Sequence, residues 1–252
     1  ATTEEIDFLY SNPGVYACVG TQFGATALAT VVRHVSIRGQ SMDLDVYGGV
    51  IAVRYDNDQV NTILDLKDKV IGAGSILDLM GGQMQIYEMK KAGMSYVNDP
   101  KQVIFAKSQA DVVRGVASGR FEVGFVRTDQ IELTTDQNGT LLDPALFKII
   151  DPKMDIMESG ELFPFLHSTN IYPEWPLSAL SHVPGDVQLA VQEALRDFGA
   201  YVAIGQALQE CIDSGNATQL CNDINVQDVT FNPPCDATND VALLAAQGSN
   251  KS

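Results

Sequence analysis

Between residues 69 and 126 the chain alternates short apolar runs with helix-length amphipathic segments. That alternation restricts the fold more than any other feature. Lys69–Gly74 reads as a buried strand ending in glycine, and Gly81–Ala92 as an amphipathic helix that stops at Gly93. Gln102–Ala106 reads as a second strand. Ser108–Ser118 reads as a helix with Ser108 as N-cap and Gly119 as stop signal. Phe121–Val126 is a third strand, nearly all apolar. Strands that alternate with helices of this length predict an α/β fold with a parallel sheet and helices on its faces. Two extended segments frame the unit, Tyr47–Arg54 before it and Phe147–Asp151 after it. If both cross between lobes, residues 57–146 form one lobe. Residues 1–56 and 147–252 then together form the other.

The remaining elements are shorter. Ile6–Tyr10 reads as a strand that runs into Ser11-Asn12-Pro13-Gly14, where a helix can start at Pro13. Ala25–Ser36 is β-branched and apolar, with Arg33 and His34 as a basic patch. Asp58–Lys67 reads as a short helix, and Asp186–Gly205 as a long one interrupted by Gly199. The run Phe163–Leu177 holds the single Trp and three Pro around the polar centre His167-Ser168-Thr169-Asn170. Proline fixes φ and removes a backbone donor, so this run is not helical. Its pattern suits an irregular segment crossing a cleft, or a surface loop with a few buried aromatics. Within Val46–Tyr55, Gly48-Gly49 lets another group approach the backbone closely.

Charge excludes whole classes of partner. Thirty-two acidic residues against 16 basic ones leave a net charge of -16, which repels nucleic acid and anionic lipid. No apolar run reaches the roughly 18 residues that span a bilayer, and no signal peptide is visible, so the chain reads as a mature or excised fragment. Cys18 stands alone, while Cys211, Cys221 and Cys235 crowd a polar, loop-rich end. At least one disulfide is expected there, most simply Cys211–Cys221, with Cys18 either paired to Cys235 or buried and free. With no Cys-x-x-Cys pair and no nearby His, no metal site is expected. Asn138-Gly139-Thr140 and Asn216-Ala217-Thr218 are glycosylation sequons. The cysteine-bearing end leads to the expectation of a periplasmic or extracellular location.

Chemistry is expected at the carboxyl ends of strands, where open α/β sheets bind ligands. Three such ends are polar or glycine-rich: Ser11-Asn12-Pro13, Gly74–Gln83 and Arg127-Thr128-Asp129. A helix N-terminus at Gly81-Gly82 would offer amide groups to an anion, or else the two glycines serve only as a flexible cap. Arg127 offers a planar fork suited to an oxyanion, or else forms a surface ion pair. Enzyme signatures are poor. Gly72-Ala73-Gly74 begins a dinucleotide fingerprint, but Leu77 stands where the third glycine belongs. Asp129, His167 and Ser168 are only loose candidates for reactive groups. No catalytic constellation and no cofactor are expected, and His34 and His182 read as solvated or capping residues.

Five short runs, in order, resemble the phosphate/phosphite/phosphonate type of periplasmic binding protein. They are most similar to the versions used as sensor regions of two-component histidine kinases. The runs are Asp7–Tyr16, Tyr47–Arg54, Gly81–Gln85, Val123–Thr128 and Phe163–Trp175. The resemblance implies a two-lobed clamp of the type II binding-protein class, with a small anionic ligand between the lobes. It implies contacts from Asn12, Tyr16, Tyr47 and Gly48 on the first lobe. The second lobe would contribute the turn Leu79, Met80, Gly81, Gly82 and Gln83, together with Arg127 and Thr128. His167, Ser168 and Thr169 would come from the returning segment. Phosphonate-binding members carry Ser and Thr in that turn, whereas Ile76-Leu77-Asp78-Leu79-Met80 is apolar and acidic here. The ligand is accordingly expected to be less charged, larger or partly apolar. A βαβα segment normally precedes the Asp7–Tyr10 strand, so the first lobe is expected to lack two strands, with the start trimmed or another chain completing the sheet. The implied role is an extracellular sensing module, with a transport binding protein as the alternative.

Overall fold

A computed structural model describes residues 5–37, 39–157 and 159–196. The chain divides into two compact units, Ala1–Gly185 and Asp186–Ser252. In the first unit the elements run β1 (Phe8–Tyr10), α1 (Pro13–Phe23), β2 (Thr26–Thr30), β3 (Arg33–Ile37), β4 (Gln40–Leu44), β5 (Val46–Arg54) and β6 (Val70–Ala73). They continue α2 (Met84–Lys91), β7 (Gln102–Phe105), α3 (Gln109–Ala117), β8 (Val123–Arg127), α4 (Gln130–Leu133), β9 (Phe147–Ile149), β10 (Ile171–Pro173) and β11 (Pro176–Ala179).

Among the described residues, these strands form three sheets. β1, β11 and β2 form one in that order, and β3 and β4 pair as a hairpin. The largest has the order β10-β5-β8-β6-β7, with β9 also paired to β5. β6 lies parallel to β7 and β8, as the alternation predicts, while β5 pairs antiparallel with β8, β9 and β10. The sheet is therefore mixed, because the framing strands enter it against the direction of the βαβ unit.

β5 shows why an almost wholly apolar strand belongs in the middle. Its side chains alternate between the two faces of the sheet. Ile51 and Val53 join Val60, Leu66, Ile71, Met89 and Phe125 in one buried cluster. Val50 and Ala52 join Val112, Val113, Val116, Phe121 and Val126 in another. A strand covered on both faces has no polar side to present, which is why its sequence does not alternate. Each large side chain buried this way contributes about 1.5–3 kcal/mol.

Some local expectations shift. The helix expected over Asp58–Lys67 is only a 3₁₀ turn, Ile63–Leu66. There the Asp65 carboxylate accepts the Asn61 and Thr62 amides at 3.0 and 2.8 Å, which stabilises a local turn in place of a longer helix. Phe121 does not open β8. Its amide donates to the Gly115 carbonyl at 3.0 Å, and its ring sits in the core between α3 and the sheet. Ser108 caps α3 as expected, its Oγ accepting the Asp111 amide at 3.1 Å. Cys18 is a free, exposed thiol and not a buried one, because α1 buries none of its residues. In the second unit, residues 186–196 are helical. The rest of the expected helix to Gly205, Asn216, and the cysteines Cys211, Cys221 and Cys235 lie outside the described residues. Among the described residues, no helix is long and apolar enough to cross a membrane.

Candidate functional site

The two glycines of β5 stand where three segments converge on the backbone. A β-carbon on Gly48 would lie 3.0 Å from the β-carbon of His167, and one on Gly49 would lie 2.8 Å from both Gln85 Nε2 and Thr169 Cγ2. The close approach inferred from Gly48-Gly49 is thus made by the chain itself. The Gly48 amide donates to Thr128 Oγ1 at 3.2 Å, and the Thr128 amide donates back to the Gly48 carbonyl at 2.8 Å. Thr169 Oγ1 accepts the Gly49 amide at 2.8 Å and donates to the Asn170 carbonyl at 2.7 Å. Ser168 Oγ accepts the Ile51 amide at 2.9 Å and donates to the Ile150 carbonyl at 2.7 Å. His167 is fully buried, with Nδ1 at 2.7 Å from the Thr169 carbonyl and its ring edge-on to Phe163. Its Nε2 has no hydrogen-bond partner, and the Asp155 carboxylate stands 3.8 Å away. These polar groups lock the returning segment onto β5.

A second cluster joins α1 to the turn before α2. Asn12 caps α1, its Oδ1 accepting the Val15 amide at 3.0 Å, and the Tyr16 hydroxyl accepts the Ala27 amide at 3.1 Å. A β-carbon on Gly14 would lie 3.0 Å from Gln83 Oε1 and 3.1 Å from Leu79 Cδ1, so the start of α1 abuts the turn. Tyr47 packs with Leu79 and Met80. Burial, reinforced by Glu174 and Asp78, pushes its phenol well above its ordinary pKa. The turn itself is a π-helical stretch, Leu79–Gln83, continuous with α2. Gln85, at the start of α2, is fully buried and donates to the Met80, Val126 and Val50 carbonyls, tying turn, β8 and β5 together.

The end of β8 is charged. Asp129 is buried, with φ +72°, in the left-handed region that Asp tolerates better than most residues. Arg33 Nη1 donates to Asp129 Oδ2 at 2.7 Å, and Arg33 Nε donates to the buried Glu174. Burial alone would lower the Arg33 guanidinium, but Asp129 and Glu174 outweigh it and hold its pKa above the ordinary value. Arg127 Nη2 reaches the same Asp129 oxygen only at 3.4 Å. Of the two guanidiniums around one carboxylate, Arg33 holds it closely and Arg127 stands off. Arg127 also borders a cavity of about 240 Å³. Thr128, Asp129 and Glu132 stand at its polar side, and Val50, Ile131, Phe147, Ile149, Phe165 and Leu166 are among its apolar walls.

The residues implied by the resemblance thus fall into three groups. Asn12 and Tyr16 flank Gly14, which abuts the turn Leu79–Gln83, and Tyr47 packs on that turn. Gly48, His167, Ser168 and Thr169 form a buried lock. Arg127 and Thr128 face the cavity, and Thr128 also belongs to the lock. Arg33, Gln85, Gln109 and Glu174 were missed. Each makes a contact across 18 or more residues of sequence, and such a contact leaves no trace in spacing. His34 and His182 pair with Asp43 and Asp7 at the surface. Among the described residues, no group of three or more His, Cys, Asp and Glu could hold a metal ion.

A family model described as the periplasmic substrate-binding protein of phosphonate ABC transporters matches residues 2–216. Among solved structures, XAC2383 from Xanthomonas citri bound to ATP superposes with a TM-score of 0.56 at 14% identity, over 97% of this chain and 78% of that one. The chloride-bound form of XAC2383 gives 0.55 at 14% identity, over 97% and 77%. A binding protein component of a phosphonate ABC transporter from Pseudomonas aeruginosa gives 0.48 at 14% identity, over 78% and 56%. A search of curated protein sequences finds no match. The fold is that of the type II periplasmic binding proteins.

Proposed function

The chain belongs to the family of periplasmic substrate-binding proteins of phosphonate ABC transporters, and from that premise we propose that it is a non-catalytic solute receptor delivering a small organic anion to such a transporter in the periplasm. The observation that carries this reading is the asymmetry around Asp129. Arg33 holds the carboxylate at 2.7 Å, while Arg127 stands off at 3.4 Å and lines the 240 Å³ cavity. A guanidinium with unspent donors above apolar walls suits an anion that carries an apolar body. The volume, just under the range usual for drug-sized ligand sites, suits a small solute. Residues 57–146 would supply one side of the site and the flanking segments the other. The transport role of the family favours this reading over a sensor module.

Calorimetry tests it, using an anion found by thermal-shift screening of phosphonates, carboxylates and sulfur oxyanions. Arg127→Ala is expected to weaken that anion tens-fold or more, since truncating one partner of a buried charge pair costs about 2–5 kcal/mol. Arg127→Lys is expected to recover part of the loss, because the charge returns without the fork. The ligand should be recovered chemically unchanged. If Arg127→Ala binds as tightly as wild type, the anchor role fails and Arg127 is a structural ion-pair residue.

A further inference from the structure

The turn before α2 presents the arrangement that sequence reasoning marked for an anion, and an anion is already in it. Asp78 Oδ1 accepts the Gly81 amide at 3.0 Å. Asp78 Oδ2 accepts Gln109 Nε2 at 2.6 Å, and Gln109 Oε1 accepts the Arg127 amide at 2.6 Å. The carboxylate is seated tightly. A β-carbon on Gly81 would stand 2.5 Å from Asp78 Oδ2, and one on Gly74 would stand 2.9 Å from it. Both neighbours are glycine where the carboxylate lies, and the Gly74 amide closes the turn on the Gly81 carbonyl at 2.8 Å.

We propose that Asp78 is a specificity-determining residue: a built-in carboxylate that occupies the anion position of this turn and rejects phosphate and phosphonate there. The inference rests on the solute-receptor reading and narrows its ligand. Two physical effects act together. The Gly81 amide and the Gln109 amide group, the donors an incoming oxyanion would use, are already bonded to Asp78. The carboxylate charge also repels a second anion, most strongly a dianion such as phosphate or a phosphonate. The ligand's anionic group is then left to Arg127 on the far side of Gln109. A singly charged group is tolerated there better than a doubly charged one.

Calorimetric titration of inorganic phosphate and methylphosphonate into wild type and Asp78→Ser tests the gate. Serine keeps an N-cap acceptor for the turn and removes the carboxylate. The serine variant is expected to bind methylphosphonate at least tenfold more tightly than wild type. A folded Asp78→Ser, with unchanged circular dichroism, that gains no affinity overturns the proposal. Should the serine variant not fold, Asp78→Asn decides, because it removes the charge and keeps the size: a gain supports the gate, and no gain overturns it. Failure here is distinct from failure of the receptor reading. A protein whose own ligand still depends on Arg127, with no gain in either Asp78 variant, keeps its receptor role and loses only the gate.

Discussion

Two polar triplets dock on the same strand and behave differently. His167-Ser168-Thr169 and Arg127-Thr128-Asp129 both meet β5 near Gly48 and Gly49. In the first, both hydroxyls accept a β5 amide and donate to a carbonyl, and the segment is wholly buried. In the second, only Thr128 bonds to β5, while its neighbours face a charged network and a cavity. Hydroxyls saturated by backbone partners act as mortar. Guanidiniums that share one carboxylate leave donors over. A polar triplet in a cleft is thus a ligand site only to the extent that its own chain has not already satisfied it.

The largest effect that would break this contrast belongs to Asp129. Asp129→Asn keeps a residue that tolerates φ +72° but removes the charge between Arg33 and Arg127. Breaking a buried pair costs about 3–5 kcal/mol. Urea denaturation is expected to show a loss of that size, and a change below about 1 kcal/mol would mean that solvent already screens the network.

The His167-Ser168-Thr169 triplet predicts a smaller loss and no loss of binding. Thr169→Val removes the acceptor of the buried Gly49 amide at nearly constant volume. An orphaned buried donor costs about 1–3 kcal/mol. The melting midpoint should fall while affinity for an Arg127-dependent ligand stays within twofold of wild type. A variant that melts like wild type but loses the ligand would move Thr169 from mortar to contact residue.

The smallest effect appears at alkaline pH and sharpens the role of the Tyr47 contact. Its phenol is raised in the folded state, by burial first and then by Glu174 and Asp78. A raised folded pKa means stability that is complete below the unfolded value near 10 and declines as pH rises above it, by up to about 1.4 kcal/mol per pH unit. Tyr47→Phe cannot ionise, so its stability should fall less steeply than that of wild type between about pH 10 and 11. Parallel curves would show that the phenol is solvated and does not seal the turn.

Much of this molecule was legible in its sequence, because the strongest signals are local. The alternation from Lys69 to Val126 fixes strand and helix by periodicity, Ser108 and Asn12 mark helix starts through bonds that reach three residues, and Pro13 does so by its fixed φ at the first helical position. The apolar run in β5 implies burial on both faces before any partner is known. Gly48-Gly49 implies close approach, but not by whom. What tertiary structure alone decided is the state of each polar group. Asp78 reads as an obstacle to an anion in the sequence and proves to be the anion of its own turn. Arg127 reads as a charge. Its freedom depends on Arg33, which lies 94 residues earlier and takes the shared Asp129 oxygen first. Periodicity and capping act over one turn of chain and are written in neighbouring residues. Hydrogen-bond saturation and charge compensation act over a few ångströms of space, between segments that only the fold brings together.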